Sequence, residues 1–210
     1  MSVLQGLLAA LSAFNSIVLA VGRQLGWVAL GLMVVVILLQ VVMRYVFNAA
    51  LPWPDEAARF LMLWMTGLVA PSAYRWGGFV AIDMIPDMLS KRLASVLLLL
   101  LTLLATFILS TAIYYGWQHT FGFGGNFNSG SLRLPLDWFG GEQVKVKLRY
   151  MYGSFLLCMI LLLMVNVELI LRQLVTLLNP DAALPDDGSA KFLVESSAEG
   201  EAAGAGMRAD

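Results

Sequence analysis

The densest group of chemically able side chains lies between positions 44 and 64. Arg44, Asp55, Glu56 and Arg59 set two bases and two acids around one short turn, with Trp53 and Trp64 beside them. Asp55 stands four residues before Arg59 and Glu56 three before, so on a helix both carboxylates lie on the Arg59 side. Ionisable groups near a bilayer are costly unless they are paired or functional. Three readings follow: an ion-pair knot that fixes the turn or contacts a partner subunit, four side chains that snorkel to the headgroups, and a transport site. The other reactive residues are isolated. His119 has no cysteine or carboxylate at ligand spacing and reads as an interfacial histidine. A single cysteine, Cys158, excludes an intramolecular disulfide and a multi-cysteine metal site, and in its apolar run it reads as an inert small hydrophobe. A single histidine excludes a bis-histidine haem within the chain. The run FGFGGNFNSG lacks lysine and opens no helix after a strand, so it fails as a P-loop. No nucleophile–base arrangement appears. The expectation is no metal, no cofactor and no enzymatic activity.

The elements that would position these residues follow from composition. Of 210 residues, 60% are apolar and 13% charged, and mean hydropathy is +0.79. A soluble domain has about 45–50% apolar and about 25% charged residues. A sphere of this size cannot hide so much apolar surface, so the chain belongs in a lipid bilayer. The net charge of -1 and the lack of a clustered basic face exclude a nucleic-acid binder. That net charge hides an asymmetry. Residues 181–210 hold seven acids and two bases, leaving seven acids and eleven bases before them. The acidic end is rich in Ala, Gly and Ser and reads as a disordered tail over 179–210.

A helix rises 1.5 Å per residue, so a hydrocarbon core of about 30 Å needs about 20 residues. Twenty uncharged residues separate Arg23 from Arg44, and eighteen separate Arg149 from Glu168. Leu93 to Trp117 is a third apolar stretch. Only fifteen uncharged residues lie between Arg59 and Arg75, and Pro71 interrupts them. That helix crosses only if it starts near Pro54, which suits a first helical position, with Asp55 and Glu56 complementing the dipole of the first turn. The spacing thus predicts an all-α integral membrane protein with four transmembrane helices, at about 24–46, 54–76, 92–117 and 150–174. Arg172 lies one turn after Glu168, so the two can pair near the interface.

Residues 1–22 show one apolar stripe (Val3, Leu4, Leu7, Leu8, Leu11, Phe14, Val18, Val21) with Ser12, Asn15 and Ser16 opposite, which predicts an N-terminal amphipathic helix on the membrane surface. A signal peptide is the weaker reading, since no base precedes the apolar run. Residues 76–90 predict a short amphipathic connection. The connection from His119 to Lys147 is long and rich in Gly, Phe and Asn, and its aromatics suit headgroup depth. Basic residues near the span ends are nearly balanced on the two sides, so charge does not set the orientation. The middle of each span holds little that is polar: Gln40 near the end of the first, Thr66 in the second, Thr102 and Thr106 in the third, and Asn166 late in the fourth. Transport needs polar groups at mid-bilayer. Their scarcity predicts a subunit that supports another membrane protein. The competing readings are a stand-alone homo-oligomeric four-helix channel or small exporter, lined by Arg59 or Asn166, and a membrane anchor subunit of another complex.

The stretch MRYVFNAALPWPDEAARFLMLWMTGLVAPSAYRWGGFVAID (residues 43–83) resembles the small membrane subunit, the Q subunit, of tripartite ATP-independent periplasmic (TRAP) transporters. The resemblance rests on Arg44-Tyr45, on Trp53 and Glu56 in a Trp-x-x-Glu spacing, on Ala58-Arg59, and on Trp64. It continues through Arg75, Gly77-Gly78 and Ile82-Asp83, with Phe79 where the family commonly has His. Leu134-Pro135-Leu136-Asp137-Trp138 is similar to the family's Pro-x-Trp before the last span. The resemblance implies four spans with both termini cytoplasmic, in a bacterial inner membrane. It implies two partners: a large multi-span permease subunit that moves as an elevator, and a soluble periplasmic binding protein that delivers an organic acid. Uptake would be driven by an ion gradient. The Q subunit would brace the large one. The 119–147 loop would face the periplasm, where Arg133, Asp137, Trp138, Lys145 and Lys147 form a candidate docking loop.

Overall fold

The structure, a computed structural model, describes residues 2–76, 91–134 and 144–178. Four long helices dominate it: α1 (Ser2–Tyr45), α2 (Pro54–Arg75), α3 (Lys91–Phe121) and α4 (Arg149–Leu178). Between α3 and α4 lie a 3-10 turn (Gly124–Asn126) and two short strands, β1 (Asn128–Leu134) and β2 (Val144–Lys147). The amphipathic connection at 77–90, Phe79, Asp137, Trp138 and the acidic tail at 179–210 lie outside the described residues.

Among the described residues three helices are long and apolar enough to cross a membrane: α1, α3 and α4. The fourth, α2, has 22 residues and so reaches about 33 Å. Its length suits a bilayer, but Asp55, Glu56, Arg59 and Arg75 lower its hydropathy. It packs between α1 and α4, while α3 packs on the far side of α4. The chain turns from α1 to α2 through Asn48, whose φ of 51° is left-handed and tolerable for asparagine. Pro54 opens α2 and the Ala57 amide donates to the Trp53 carbonyl.

The packing is inverted relative to a soluble bundle. The buried positions of α1 are Leu8, Ser12, Asn15, Leu19, Gly22, Gly26 and Ala29. Those of α4 include Ser154, Cys158, Leu161, Val165, Glu168, Arg172 and Val175. Both sets step by alternating fours and threes, the 3.5-residue repeat of a left-handed coiled coil. The seams are rich in small and polar residues between a few Leu and Val, whereas Trp27, Val28, Val35 and Leu38 of α1 and Leu100, Leu104 and Phe107 of α3 face outward. In lipid, apolar residues gain nothing by leaving the tails, so small residues and hydrogen bonds drive helix association. Glycines set the closest approaches. A Cβ at Gly67 would lie 2.9 Å from the Ser154 carbonyl oxygen, and one at Gly22 would lie 3.0 Å from that of Leu68.

Two expectations change. No boundary separates residues 1–22 from the first span, because α1 runs unbroken for 44 residues. Its polar stripe does not face water: Ser12 and Asn15 are buried and Ser16 half-buried against α2 and α4. The all-helical expectation also gains a β-hairpin in the connection before α4. The strands pair antiparallel, with Asn128 opposite Lys147, Arg133 opposite Lys145 and Leu134 opposite Val144. Four residues of β1, 129–132, therefore stand against one of β2, Val146, an irregular bulge.

Candidate functional site

Two polar ties hold the bundle, one toward each end. The first centres on Glu168, which is fully buried. Its Oε1 accepts from Arg75 Nη2 and Arg172 Nη2, each at 2.8 Å. Its Oε2 accepts from Asn15 Nδ2 at 2.7 Å. Arg75 also donates to the Ser12 carbonyl at 3.0 Å, to Ser12 Oγ at 2.9 Å and to Ser16 Oγ at 2.7 Å. Three helices thus converge on one carboxylate. Glu168 lies 19 residues into α4, about 28 Å from its start. The packed helices shut water out, so each charge persists only because it is paired and hydrogen-bonded. Arg23, half-buried next to this cluster, stacks its guanidinium 4.6 Å over the Trp76 ring and reaches Ser72 Oγ at 3.5 Å.

Two turns away from Arg172, Asn166 anchors α3. Its Nδ2 donates to the Thr102 carbonyl at 2.9 Å and to Thr106 Oγ1 at 2.7 Å, and its Oδ1 accepts from the Tyr74 hydroxyl at 2.6 Å. The asparagine is fully buried and every one of its capacities except one lone pair is used. The threonines and serines of α3 otherwise bond back one turn: Thr102 to Leu98, Thr106 to Thr102, Ser110 to Thr106, and Thr111 to Phe107. Beside Tyr74 a cleft of about 220 Å³ is lined by Ala105, Ile108, Leu109 and Leu162. Its lining is apolar apart from that hydroxyl, which already donates to Asn166.

The second tie lies at the opposite end. Glu56, in the first turn of α2, reaches into the bulge of β1. Its Oε2 accepts from the Ser131 amide at 2.6 Å, the Leu132 amide at 2.9 Å and Ser131 Oγ at 2.5 Å. Its Oε1 accepts from Ser129 Oγ at 2.5 Å. Two successive amides and two hydroxyls aimed at one anion form a nest. The Gly-rich run that fails as a P-loop therefore leads into a true anion cradle, and the anion is the chain's own.

The residues singled out in the sequence fall as follows. Glu56 leaves Arg59 for the hairpin. Among the described residues both ion pairs are on Glu168, and none joins Arg44, Asp55, Glu56 and Arg59 to one another. The reason is geometric: the bulge offers Glu56 four converging donors, and a flexible exposed arginine offers less. Arg44, Asp55 and Arg59 are exposed. Trp53 caps α2 with its backbone, and Trp64 Nε1 donates to the Tyr150 carbonyl at 3.1 Å, joining α2 to α4. Lys145 and Lys147 are exposed on β2, and Arg133 lies on β1. His119 has Nδ1 2.9 Å from the Tyr115 carbonyl of its own helix and its ring edge-on to Tyr152 of α4, 6.2 Å between centroids. The Glu168–Arg172 pair does form, buried among the helices. Sequence reading missed Arg75 as its third member, together with Ser12, Asn15 and Ser16. The available signal was the alternating four-three spacing of small and polar residues in α1.

Comparison with protein-family models matches residues 33–176 to the family described as tripartite ATP-independent periplasmic transporters, DctQ component. The match spans more than two thirds of the chain. The chain belongs to the DctQ family. It is thus a small subunit of a TRAP transporter, a transport component by family. No curated protein and no solved structure matches it. The DctQ match takes in α2, α3, the hairpin and most of α4, including Glu56, Arg75, Glu168 and Arg172. It begins at residue 33, after the segment of α1 that supplies Ser12, Asn15, Ser16 and Arg23.

Proposed function

We propose that this DctQ component braces the large permease subunit of its transporter and helps dock the periplasmic binding protein during ion-gradient-driven uptake of an organic acid. In this reading α2 is a fourth span, the chain sits in a bacterial inner membrane, both termini are cytoplasmic, and the hairpin faces the periplasm. The observation that carries it is the engagement of buried polar groups with one another. Glu168 takes Arg75, Arg172 and Asn15; Asn166 takes Tyr74, Thr102 and Thr106. A conduit needs such groups turned toward a passage. A brace needs them turned inward, with apolar surface left for lipid and partner. The broad outward faces of α1 and α3 fit that second need.

A stand-alone channel lined by Asn166 is disfavoured by the same geometry, since that side chain is buried and saturated. The deciding experiment is purification of the tagged chain in mild detergent, followed by reconstitution. The expected result is copurification with a much larger multi-span membrane protein, and no organic-acid flux in liposomes holding the small chain alone. Flux carried by the small chain alone overturns the reading.

A further inference from the structure

We propose that Glu56 is the positioning residue of the hairpin, fixing the basic face of β1–β2 in the orientation that meets an acidic surface on the binding protein. This inference rests on the docking reading above. Three observations lead to it. The first is the bulge. Between Asn128 and Arg133 the register with β2 shifts, and the amides of Ser131 and Leu132 turn toward α2, the second of them also reaching Ser129 Oγ at 3.1 Å. Glu56 receives both, along with the hydroxyls of Ser129 and Ser131. A two-stranded hairpin is marginal by itself in water. Here its irregular strand is tied to the rigid start of a membrane helix instead.

The second observation is the placement of charge. Lys145 and Lys147 are two apart on β2, so they share a face, and both are exposed. Arg133 is the register partner of Lys145. The two exposed lysines favour an acidic surface laid across β2, which also speeds encounter. The third observation is the direction of the tie. Glu56 engages the bulge of β1 from α2 and leaves β2 uncovered. The carboxylate thus fixes where the basic face stands without neutralising it.

The test uses the whole membrane complex with its binding protein. In Glu56→Gln the side chain keeps its shape but loses its charge and one of its two acceptor oxygens. Hydrogen exchange at the Ser131 and Leu132 amides is expected to rise roughly tenfold or more, the scale of a lost charge-assisted pair. Exchange around Glu168 should stay as it was. The binding-protein concentration for half-maximal uptake should rise roughly tenfold with the maximal rate retained, a split that general destabilisation does not produce. The paired variant Ser129→Ala with Ser131→Ala leaves α2 untouched and should move both readouts in the same direction. Unchanged exchange in both variants overturns the proposal, as does raised exchange with unchanged half-saturation. Lys145→Glu with Lys147→Glu separates the two ideas. If that variant leaves half-saturation unchanged, the docking reading itself fails. If it raises half-saturation and Glu56→Gln does not, only the role of Glu56 fails.

Discussion

Arg75 Nη2 sits 2.8 Å from Glu168 Oε1, joining the end of α2 to the last third of α4 across 93 residues of chain. Both side chains are almost wholly buried, and Arg172 closes on the same oxygen. The arrangement works as a unit, and its members are not interchangeable.

Removing the centre should therefore hurt more than removing everything. Glu168→Ala leaves two guanidinium groups buried without their carboxylate, a loss expected at about 3–5 kcal/mol. The triple change Arg75→Met, Glu168→Leu, Arg172→Met replaces the charges with apolar bulk and should lose less than the single change. Thermal unfolding of the purified complex, followed by size-exclusion fluorescence, ranks the two. A triple variant less stable than Glu168→Ala contradicts this account.

Helix contact through glycine gives a second ranking. Gly67→Ala puts a methyl 2.9 Å from the Ser154 carbonyl oxygen, a backbone atom that moves only with its helix. The expected cost is about 1–3 kcal/mol. Gly31→Ala meets no atom within 4 Å and serves as the reference. It should be neutral or gain up to about 1 kcal/mol from helix propensity. The same unfolding assay decides, and equal effects at the two sites speak against close packing of α2 on α4.

The asparagine network should show graded losses. Tyr74→Phe removes one hydrogen bond to Asn166 and is expected to cost about 0.6 kcal/mol, the average for such bonds in membranes. Asn166→Leu removes the bonds to Tyr74, Thr102 and Thr106 together and should cost clearly more. In a double-mutant cycle the two changes should couple, because they share a contact. Full additivity would falsify the network.

Arg59 offers the opposite case. It is exposed, and among the described residues it has no ion-pair partner. Arg59→Ala should leave the melting temperature of the isolated chain unchanged while reducing the yield of large subunit that copurifies with it. If yield is unaffected, that arginine does not touch the partner.

Much of the helical layout was readable because apolar runs and punctuating charges mark length directly. The starts of α2 and α4 fall at Pro54 and Arg149, close to the expected 54 and 150. The facing of α1 was not readable in the same way. Amphipathic patterns are usually judged against water, whereas here lipid surrounds the bundle, so Ser12 and Asn15 turn inward and Phe14 and Ile17 turn outward. The i,i+4 partnership of Glu168 and Arg172 was visible locally. Arg75 was not, because nothing in the chain states which helix faces which across 93 positions. Glu56 was singled out for the right reason, an acid at a helix start. Its partner was misjudged because Ser129, Gly130 and Ser131 show their value only once the strand bulges.

The long sequence separation within the Arg75–Glu168 tie bears on how the molecule is made. A ribosome adding about 5–20 residues per second delivers Glu168 roughly 5–20 s after Arg75. Through that interval Arg75 has the Ser12 carbonyl and the Ser12 and Ser16 hydroxyls of α1 as partners, and its carboxylate arrives only with α4. A chain cut short before Glu168 would therefore carry a buried guanidinium that is hydrogen-bonded but not neutralised.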